Sequence, residues 1–384
     1  MKVSGAWIED PESQQLCAVL QAGGHQALFV GGCVRDALLG MTVRDVDIAT
    51  DARPDRVTEL AEAAGLRVVP TGAAHGTVTV ISGHTHHEVT TFRRDVATDG
   101  RRAVVAFADD VVTDAARRDF TMNALYARPD GSVIDPLGGG LADLAARRVR
   151  FVGTPAERIA EDYLRILRFF RFQAWFGDPE RGIDPDGLAA CAALQDGLER
   201  LSRERVGAEM RRLLAAPDPA MALAAMEGSG ILGRILPGAT ATAVAVLVHL
   251  ERSEGVGLRW MRRLAALGGD WDGRAALRLS NSETRALERL RAGIAECTSA
   301  EESGYRHGIA AGTDMLLVRA ALTGTALPDA WQDALARGAA AEFPLRASDL
   351  MPALKGPRVG AALRAAERRW IDSGFRLSRE DLLA

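Results

Sequence analysis

Residues 27–50 read ALFVGGCVRDALLGMTVRDVDIAT. A short apolar run, ALFV, reaches Gly31 and Gly32. A helix-like segment, CVRDALLG, carries Arg35. RDVDIAT then alternates charged and apolar residues. Side chains two apart on a β-strand share a face. Asp45 and Asp47 therefore project together, about 6–7 Å apart along the strand, with Val46 and Ile48 on the opposite, buried side. Two carboxylates so placed repel unless a cation lies between them. Oxygen ligands with part of the coordination sphere left to substrate phosphates suit Mg²⁺. A glycine turn that opens a helix offers backbone amides to a phosphate, and Arg35 in the first turn is placed to reach the same group. Taken singly, the acids also fit an exposed strand edge and the glycines a tight turn. A DxD pair occurs in sugar-nucleotide transferases as well. Together they point to a nucleoside triphosphate, with Gly32 and Arg35 at its phosphates and Asp45 and Asp47 at the metal. The stretch is neither GxxxxGK[ST] nor GxGxxG.

The chain around this stretch has 384 residues, 47% hydrophobic and 26% charged, with a formal net charge of -4. This is an ordinary globular balance, sufficient for two or three domains. The mild negative charge excludes a surface coated in positive charge and leaves room for a local basic cleft. Cys17, Cys33, Cys191 and Cys297 are scattered, with no CxxC pair, so neither a disulfide framework nor a zinc ribbon is expected. The N-terminus lacks the apolar core of a signal peptide, and no membrane span is expected. The composition predicts a soluble, cytoplasmic protein.

The first 150 residues alternate strand and helix signals. ALFV, RDVDIAT, GTVTVISG, HHEVTTFR, AVVAF and SVIDPLGG read as strands, and ARPDRVTELAEAAG as an amphipathic helix begun by Pro54 and ended before Gly65. Beyond about residue 155 the strand signals fade. TPAERIAEDYLRILRFFRFQAWF and a succession of Ala-, Leu- and Arg-rich segments read as helices broken at Pro179, Pro185, Pro217 and Pro237. The expected class is α+β: a mixed sheet with helices over residues 1–150, followed by helical regions over 151–250 and 251–384.

Glu88 in HHEVTTFRRD becomes a third carboxylate if its strand lies beside the aspartate pair. His84, His86 and His87 resemble a metal cluster, but no further Cys/His set accompanies them, so a strand end or turn is expected. In EDYLRILRFFRF, Asp162, Arg165, Arg168 and Arg171 recur every three residues, and helical spacing keeps them on one stripe. The remaining positions from 163 to 172 are apolar or aromatic. Such a helix packs on several sides, so its stripe must face buried acids or a polar cleft.

GGCVRDALLG followed by RDVDIAT resembles the first motif of class II tRNA nucleotidyltransferases, the bacterial CCA-adding enzymes and their poly(A) polymerase relatives. ARRDFTMNALYA (116–127) resembles their second motif, VIDPLGGGLADL (133–144) their third, and EDYLRILRFFRF follows in order. The resemblance covers residues 27–172 and fades beyond about 200. It implies a polymerase-β-like head, a helical neck, and a body and tail holding the tRNA acceptor arm. It implies the addition of C and A from CTP and ATP to the tRNA 3' end with Mg²⁺. It places Arg118 on the nucleotide's phosphate or sugar and Asp119 on the ribose hydroxyl, for which arginine and carboxylate are suited. A loop at 94–107 is implicated in the switch from C to A addition; a surface hairpin fits the same residues.

Asp162 and Arg165 take the implied template role. An aspartate accepts from an exocyclic amine while an arginine donates to the ring nitrogen beside it. Cytosine and adenine both present that edge. Guanine and uracil place a carbonyl where the amine would be, leaving Asp162 facing an acceptor. Arg168 and Arg171 would orient Asp162 or touch phosphates. A poly(A) polymerase or a partial CC- or A-adding enzyme shares the same head. A non-catalytic RNA-binding protein would have no reason to keep the acid pair, and a DxD glycosyltransferase leaves the arginine stripe unexplained.

Overall fold

The structure is a computed structural model that describes residues 1–70, 72, 76–98, 103–296, 299–351 and 353–384. Its strands are β1 Leu28–Val30, β2 Asp47–Thr50, β3 Arg67–Val69, β4 Thr77–Ser82, β5 Thr85–Thr91, β6 Arg93–Thr98, β7 Ala103–Phe107, β8 Tyr126–Ala127 and β9 Val133–Ile134. Among the described residues, a seven-stranded sheet runs in the order β3-β4-β5-β2-β1-β8-β9. Within it β2 and β5 pair in parallel; the other neighbours are antiparallel. β6 and β7 form a separate hairpin. Residues 99–102, the tip of the 94–107 segment, lie outside the described residues. The α+β class expected from the alternating and then purely helical signals is what the chain adopts.

The sheet has one covered back. Ile48, Val78, Val80, His87 and Val89 are buried on it, against the helices Pro11–Ala22 and Pro54–Ala63. Glu12 of the first helix accepts from the backbone amides of His84 and Thr85. Pro54 opens the second helix, as the sequence predicts. The front is divided. Around β1 it carries Leu28, Val30, Ala49 and Tyr126, packed with Phe92, Ala115 and Val152 in one apolar cluster. Around β3, β4 and β5 it carries exposed and half-buried side chains.

Three local features depart from the sequence reading. β2 begins at Asp47, so Asp45 precedes the strand rather than sitting within it. The register sets Phe29 opposite Ile48, which brings the end of β1 level with Asp47. Gly31 then turns the chain away with φ 73° and ψ −116°, a conformation that favours glycine. β3 and β8 were not expected, being too short to show a period. The helix expected across 154–176 is two helices, Pro155–Glu161 and Leu164–Phe176, separated by Asp162 with extended backbone (φ −153°, ψ 105°). Asp162 Oδ1 accepts from the Leu164 amide at 3.1 Å, a local bond that ends one helix and starts the next.

By its internal contacts the chain divides into two compact units, 1–213 with 229–231, and 214–228 with 232–384. The regular elements described in the second unit are helical. No helix among the described residues is long and apolar enough to cross a membrane. This unit encloses a buried charge network. Glu251 on the helix Thr242–Ser253 takes bonds from Arg262 Nε (2.9 Å) and Nη2 (2.7 Å), and from Arg263 Nε (2.9 Å) and Nη2 (2.7 Å). Arg262 Nη1 also reaches Asp314 at 3.1 Å, and Arg263 Nη1 donates to the carbonyl of Leu214 at 2.9 Å. Both arginines are essentially inaccessible. Removing their shared anion would leave two buried cations short of partners. Glu251→Ala is expected to destabilise this unit by about 3–5 kcal/mol, read from its urea transition. A loss under about 1 kcal/mol, the level of an exposed pair, would show that the network contributes little.

Candidate active site

The parallel pairing of β2 with β5 sets Asp47 directly opposite Glu88. Asp45 lies two residues before Asp47, exposed at the mouth of the strand. The sequence leaves the register of Glu88 open; the structure brings Glu88 beside Asp47. Burial, then the charge of Glu88, push the Asp47 carboxyl above its ordinary range; Arg118 opposes this and Asp45 adds to it. An acid whose ionisation is hindered by its own neighbours is the donor set that a divalent cation relieves. Among the described residues no three His, Cys, Asp or Glu side chains are placed together to hold a metal ion, Asp45, Asp47 and Glu88 included. Carboxylates open on one side suit a cation completed by substrate phosphates.

On the β1 side of the acids lies the glycine turn. The Gly31 amide donates to the Leu125 carbonyl at 3.0 Å, and a Cβ at Gly31 would meet Arg118 Nη1 at 3.4 Å. Gly32 starts the helix Gly32–Leu38. Arg35 does not stand free at this turn. Its Nη1 donates to Asn123 Oδ1 at 2.6 Å and its Nη2 pairs with Asp36 at 2.7 Å. Its guanidinium lies over the Phe176 ring, 4.0 Å from the centroid.

The second motif is organised by a residue outside the sequence reading, Asp114. Its carboxylate accepts from Arg117 Nη2 (2.8 Å), Arg118 Nη2 (2.9 Å) and the Tyr126 hydroxyl (2.6 Å). Burial alone would raise Asp114, but Arg118, Arg117 and Tyr126 outweigh it and hold the carboxyl at about 2. Arg118 Nε also donates to the Tyr126 oxygen at 3.0 Å. Asp119 takes bonds from the Phe120 amide (2.9 Å) and Asn123 Nδ2 (3.0 Å) on one oxygen and from Arg168 Nε (2.7 Å) on the other. A continuous hydrogen-bonded line thus runs Arg35–Asn123–Asp119–Arg168.

The helix Leu164–Phe176 is apolar around most of its girth, with Ile166, Leu167, Phe169, Phe170 and Phe172 buried. Its arginines face acids, one of the two environments its pattern required. Arg165 pairs with Glu161 at 2.5 Å and donates to the Arg117 carbonyl at 3.1 Å. Arg168 pairs with Asp119, and Arg171 with Glu209 at 2.5 Å. Asp162 is held by neither Arg168 nor Arg171, but by Arg205 Nη2 at 2.6 Å. Asp162 and Arg165 are neighbours with separate partners. Arg205 and Glu209 belong to RERVGAEMRR, which reads as a plain basic cluster. Asp114 was findable: it stands three and four residues before Arg117 and Arg118, the helical pairing distance. Of the histidines, His84 lies in the turn before β5 and His87 is buried on the sheet's back; they do not cluster.

A mixed sheet with paired acids beside a glycine turn defines a nucleotidyltransferase head. Residues 27–150 match the family profile described as the Poly A polymerase head domain, and 182–242 match the probable RNA and SrmB-binding site of polymerase A. The chain is 42% identical over 191 residues to the mitochondrial CCA tRNA nucleotidyltransferase 1 of Homo sapiens, covering 50% of this chain and 44% of that protein. It is 42% identical over 214 residues to the CCA-adding enzyme of Levilactobacillus brevis, covering 55% of this chain and 52% of that protein. The matches thus span about half the length of these curated relatives. The solved Bacillus stearothermophilus CCA-adding enzyme in complex with CTP is similar over 94% of this chain and 92% of its own, with 30% identity and a TM-score of 0.71. The chain belongs to the class II CCA-adding nucleotidyltransferase family.

Folding lowers the Asp114 pKa, so its ionised form stabilises the head above the unfolded value of 3.8. That contribution fades as pH falls toward 2. Asp114→Asn is expected to cost about 2 kcal/mol near neutral pH. Urea unfolding across pH should show the deficit narrowing as the medium is acidified below about pH 4. A deficit independent of pH would contradict this account of Asp114.

Proposed function

We propose that the protein adds C and A nucleotides from CTP and ATP to the 3' end of tRNA without a template, releasing pyrophosphate. The observation that carries this reading is the Asp47–Glu88 pairing with Asp45 beside it, an acid set that its neighbours leave poorly neutralised. Residues 1–150 are the catalytic head, 151–250 carry base recognition, and 251–384 hold the RNA acceptor arm. The free, buried thiols of Cys17, Cys33 and Cys191 suit a cytoplasmic setting.

Asp45 and Asp47 would hold Mg²⁺, which when bound offsets the triphosphate charge and makes the RNA 3'-hydroxyl more acidic. The 3'-oxygen attacks the α-phosphorus and a new P–O bond forms. The bond from that phosphorus to the β-phosphate oxygen breaks, and pyrophosphate leaves with the electron pair. Glu88, exposed across the register from Asp47, takes up the hydroxyl proton. Gly32, Arg35 and Arg118 border the triphosphate side, and Asp119 addresses the ribose hydroxyl. Asp162 and Arg165 read the amine and adjacent ring nitrogen shared by C and A. Arg205 and the Leu164 amide fix the direction of the Asp162 carboxylate. Arg165 exchanges Glu161 for the base. Arg168 and Arg171 anchor the helix through Asp119 and Glu209.

Asp45→Ala and Asp47→Ala are each expected to lower incorporation of labelled CMP into tRNA lacking its 3' end by about 10³-fold or more, some 4 kcal/mol. RNA retained on a filter should not change. Full incorporation would remove the pair from the reaction. Mg²⁺ should raise the melting temperature of the native protein and leave that of Asp47→Asn unmoved; an equal rise in both would place the ion elsewhere. Asp162→Ala and Arg165→Ala should relax the choice of C and A over G and U, and an unchanged preference would exclude them from base reading.

A further inference from the structure

The acids have two sides. Gly32, Arg35, Arg118 and Asp119 lie on the β1 and β8 side of β2. On the other side β5, β4 and β3 follow in order, and their front face forms a groove of about 850 Å³ that includes Asp45, Asp47 and Glu88. The register lays this face out in two rows. One runs Asp47, Glu88, Thr79, Val69 across β2, β5, β4 and β3; the next runs His86, Ile81, Arg67 across β5, β4 and β3. Arg44 joins the groove beside Asp45. The back of the same strands is sealed by helices, whereas Arg44, Arg67, Val69 and His86 on the front are exposed.

We propose that this face is the track for the unpaired 3'-terminal nucleotides of the acceptor RNA, with Arg44 and Arg67 at its phosphates and Val69 and Ile81 beneath its sugars and bases. The proposal rests on the nucleotidyl-transfer reading above. Three observations carry it. The first is direction: displacement at phosphorus sets the attacking and leaving oxygens roughly in line. With the triphosphate on the β1 side, the attacking 3'-oxygen must arrive from the β5 side, where the groove begins. The second is charge. Arg35, Arg118, Arg165, Arg168 and Arg171 are each locked to an acid. Arg44 and Arg67 have no such partner among the described residues and remain available to an anion. The third is size and texture. From β2 to β3 the face spans about 14 Å, three strand spacings, room for roughly two nucleotides of single strand and too narrow for a duplex. Apolar side chains between cations and the Thr79 and Thr85 hydroxyls suit a strand held by backbone and stacking, without reading its sequence.

Steady-state addition of CMP to tRNA lacking its 3' end tests this with Arg44→Ala, Arg67→Ala and Arg67→Lys. Their exposed side chains can be removed without opening the core. Each alanine variant is expected to raise KM for RNA about 10-fold, the loss of one charged hydrogen bond, with KM for CTP unchanged. The slope of log KM for RNA against log salt should become shallower by about 0.7 per arginine lost, the single-strand value. Arg67→Lys should retain the native slope. Direct titration of RNA without CTP should show the same weakening. An unchanged RNA KM and salt slope would overturn the proposal, and so would a rise confined to KM for CTP, which would assign the groove to the nucleotide. If the native protein extends tRNA while the variants behave as native, the groove assignment fails alone. If the native protein extends no RNA, both readings fail.

Discussion

Two like charges held side by side are the constraint around which the head is organised. Parallel pairing of β2 and β5 fixes Asp47 opposite Glu88, at a strand spacing of about 4.8 Å. Nothing in that contact favours folding. It is imposed from behind, where Ile48 and Val89, the next register pair, are fully buried. A slip of one residue would turn those apolar side chains outward and the acids into the core. The back of the sheet therefore enforces the register, and the front presents carboxylates whose mutual repulsion Arg118 opposes in part and a bound cation would relieve.

The arginines of the glycine-turn helix, the second motif and the helix Leu164–Phe176 obey the opposite rule. Arg118 is clamped by Asp114 and Tyr126, Arg168 by Asp119, and Arg171 by Glu209. Arg35, Asn123, Asp119 and Arg168 form one line, so the glycine-turn helix, the second motif and the helix Leu164–Phe176 are positioned together. Groups fixed before substrate arrives need little reorganisation during the reaction. The helical unit solves a related problem with Glu251, which bonds two inaccessible arginines at once while Asp314 supplies Arg262 with a second carboxylate. Hindered acids thus lie near arginines paired to carboxylates, while Arg44 and Arg67 in the front groove have no such partner among the described residues.

Much of this was legible in the sequence because it depends on period and local chemistry. Alternation in GTVTVISG and HHEVTTFR marked β4 and β5, and Pro54 marked its helix. Asp45 and Asp47 do line one groove, but Val46, expected on the buried side, is half-buried and lines the same groove, because β1 ends too early for Asp45 and Val46 to join a strand. The narrow stripe on Leu164–Phe176 required buried acids or a polar cleft, and its arginines pair with Glu161, Asp119 and Glu209. What sequence could not supply was pairing at a distance. The register of Glu88 depends on a crossover through Pro54–Ala63, β3 and β4. The partner of Asp162 is Arg205, more than forty residues away in a segment that looks merely basic. The break at Asp162 was hidden because the three-residue spacing continues through it. The divided front of the sheet was likewise invisible, since strands with the same alternation lie under a cluster at β1 and in the open at β3–β5.

The central proposal is that Asp162, held by Arg205, and Arg165 select the base while Asp45, Asp47 and Glu88 support its transfer. The most direct measurement supplies tRNA lacking its 3' end with CTP, ATP, GTP and UTP singly and together and reads the added sequence. The account predicts that C and A are added, with ordered CCA when CTP and ATP are both present, and that G and U are refused. Comparable addition of G or U, or no extension of the RNA by any nucleotide, would contradict it.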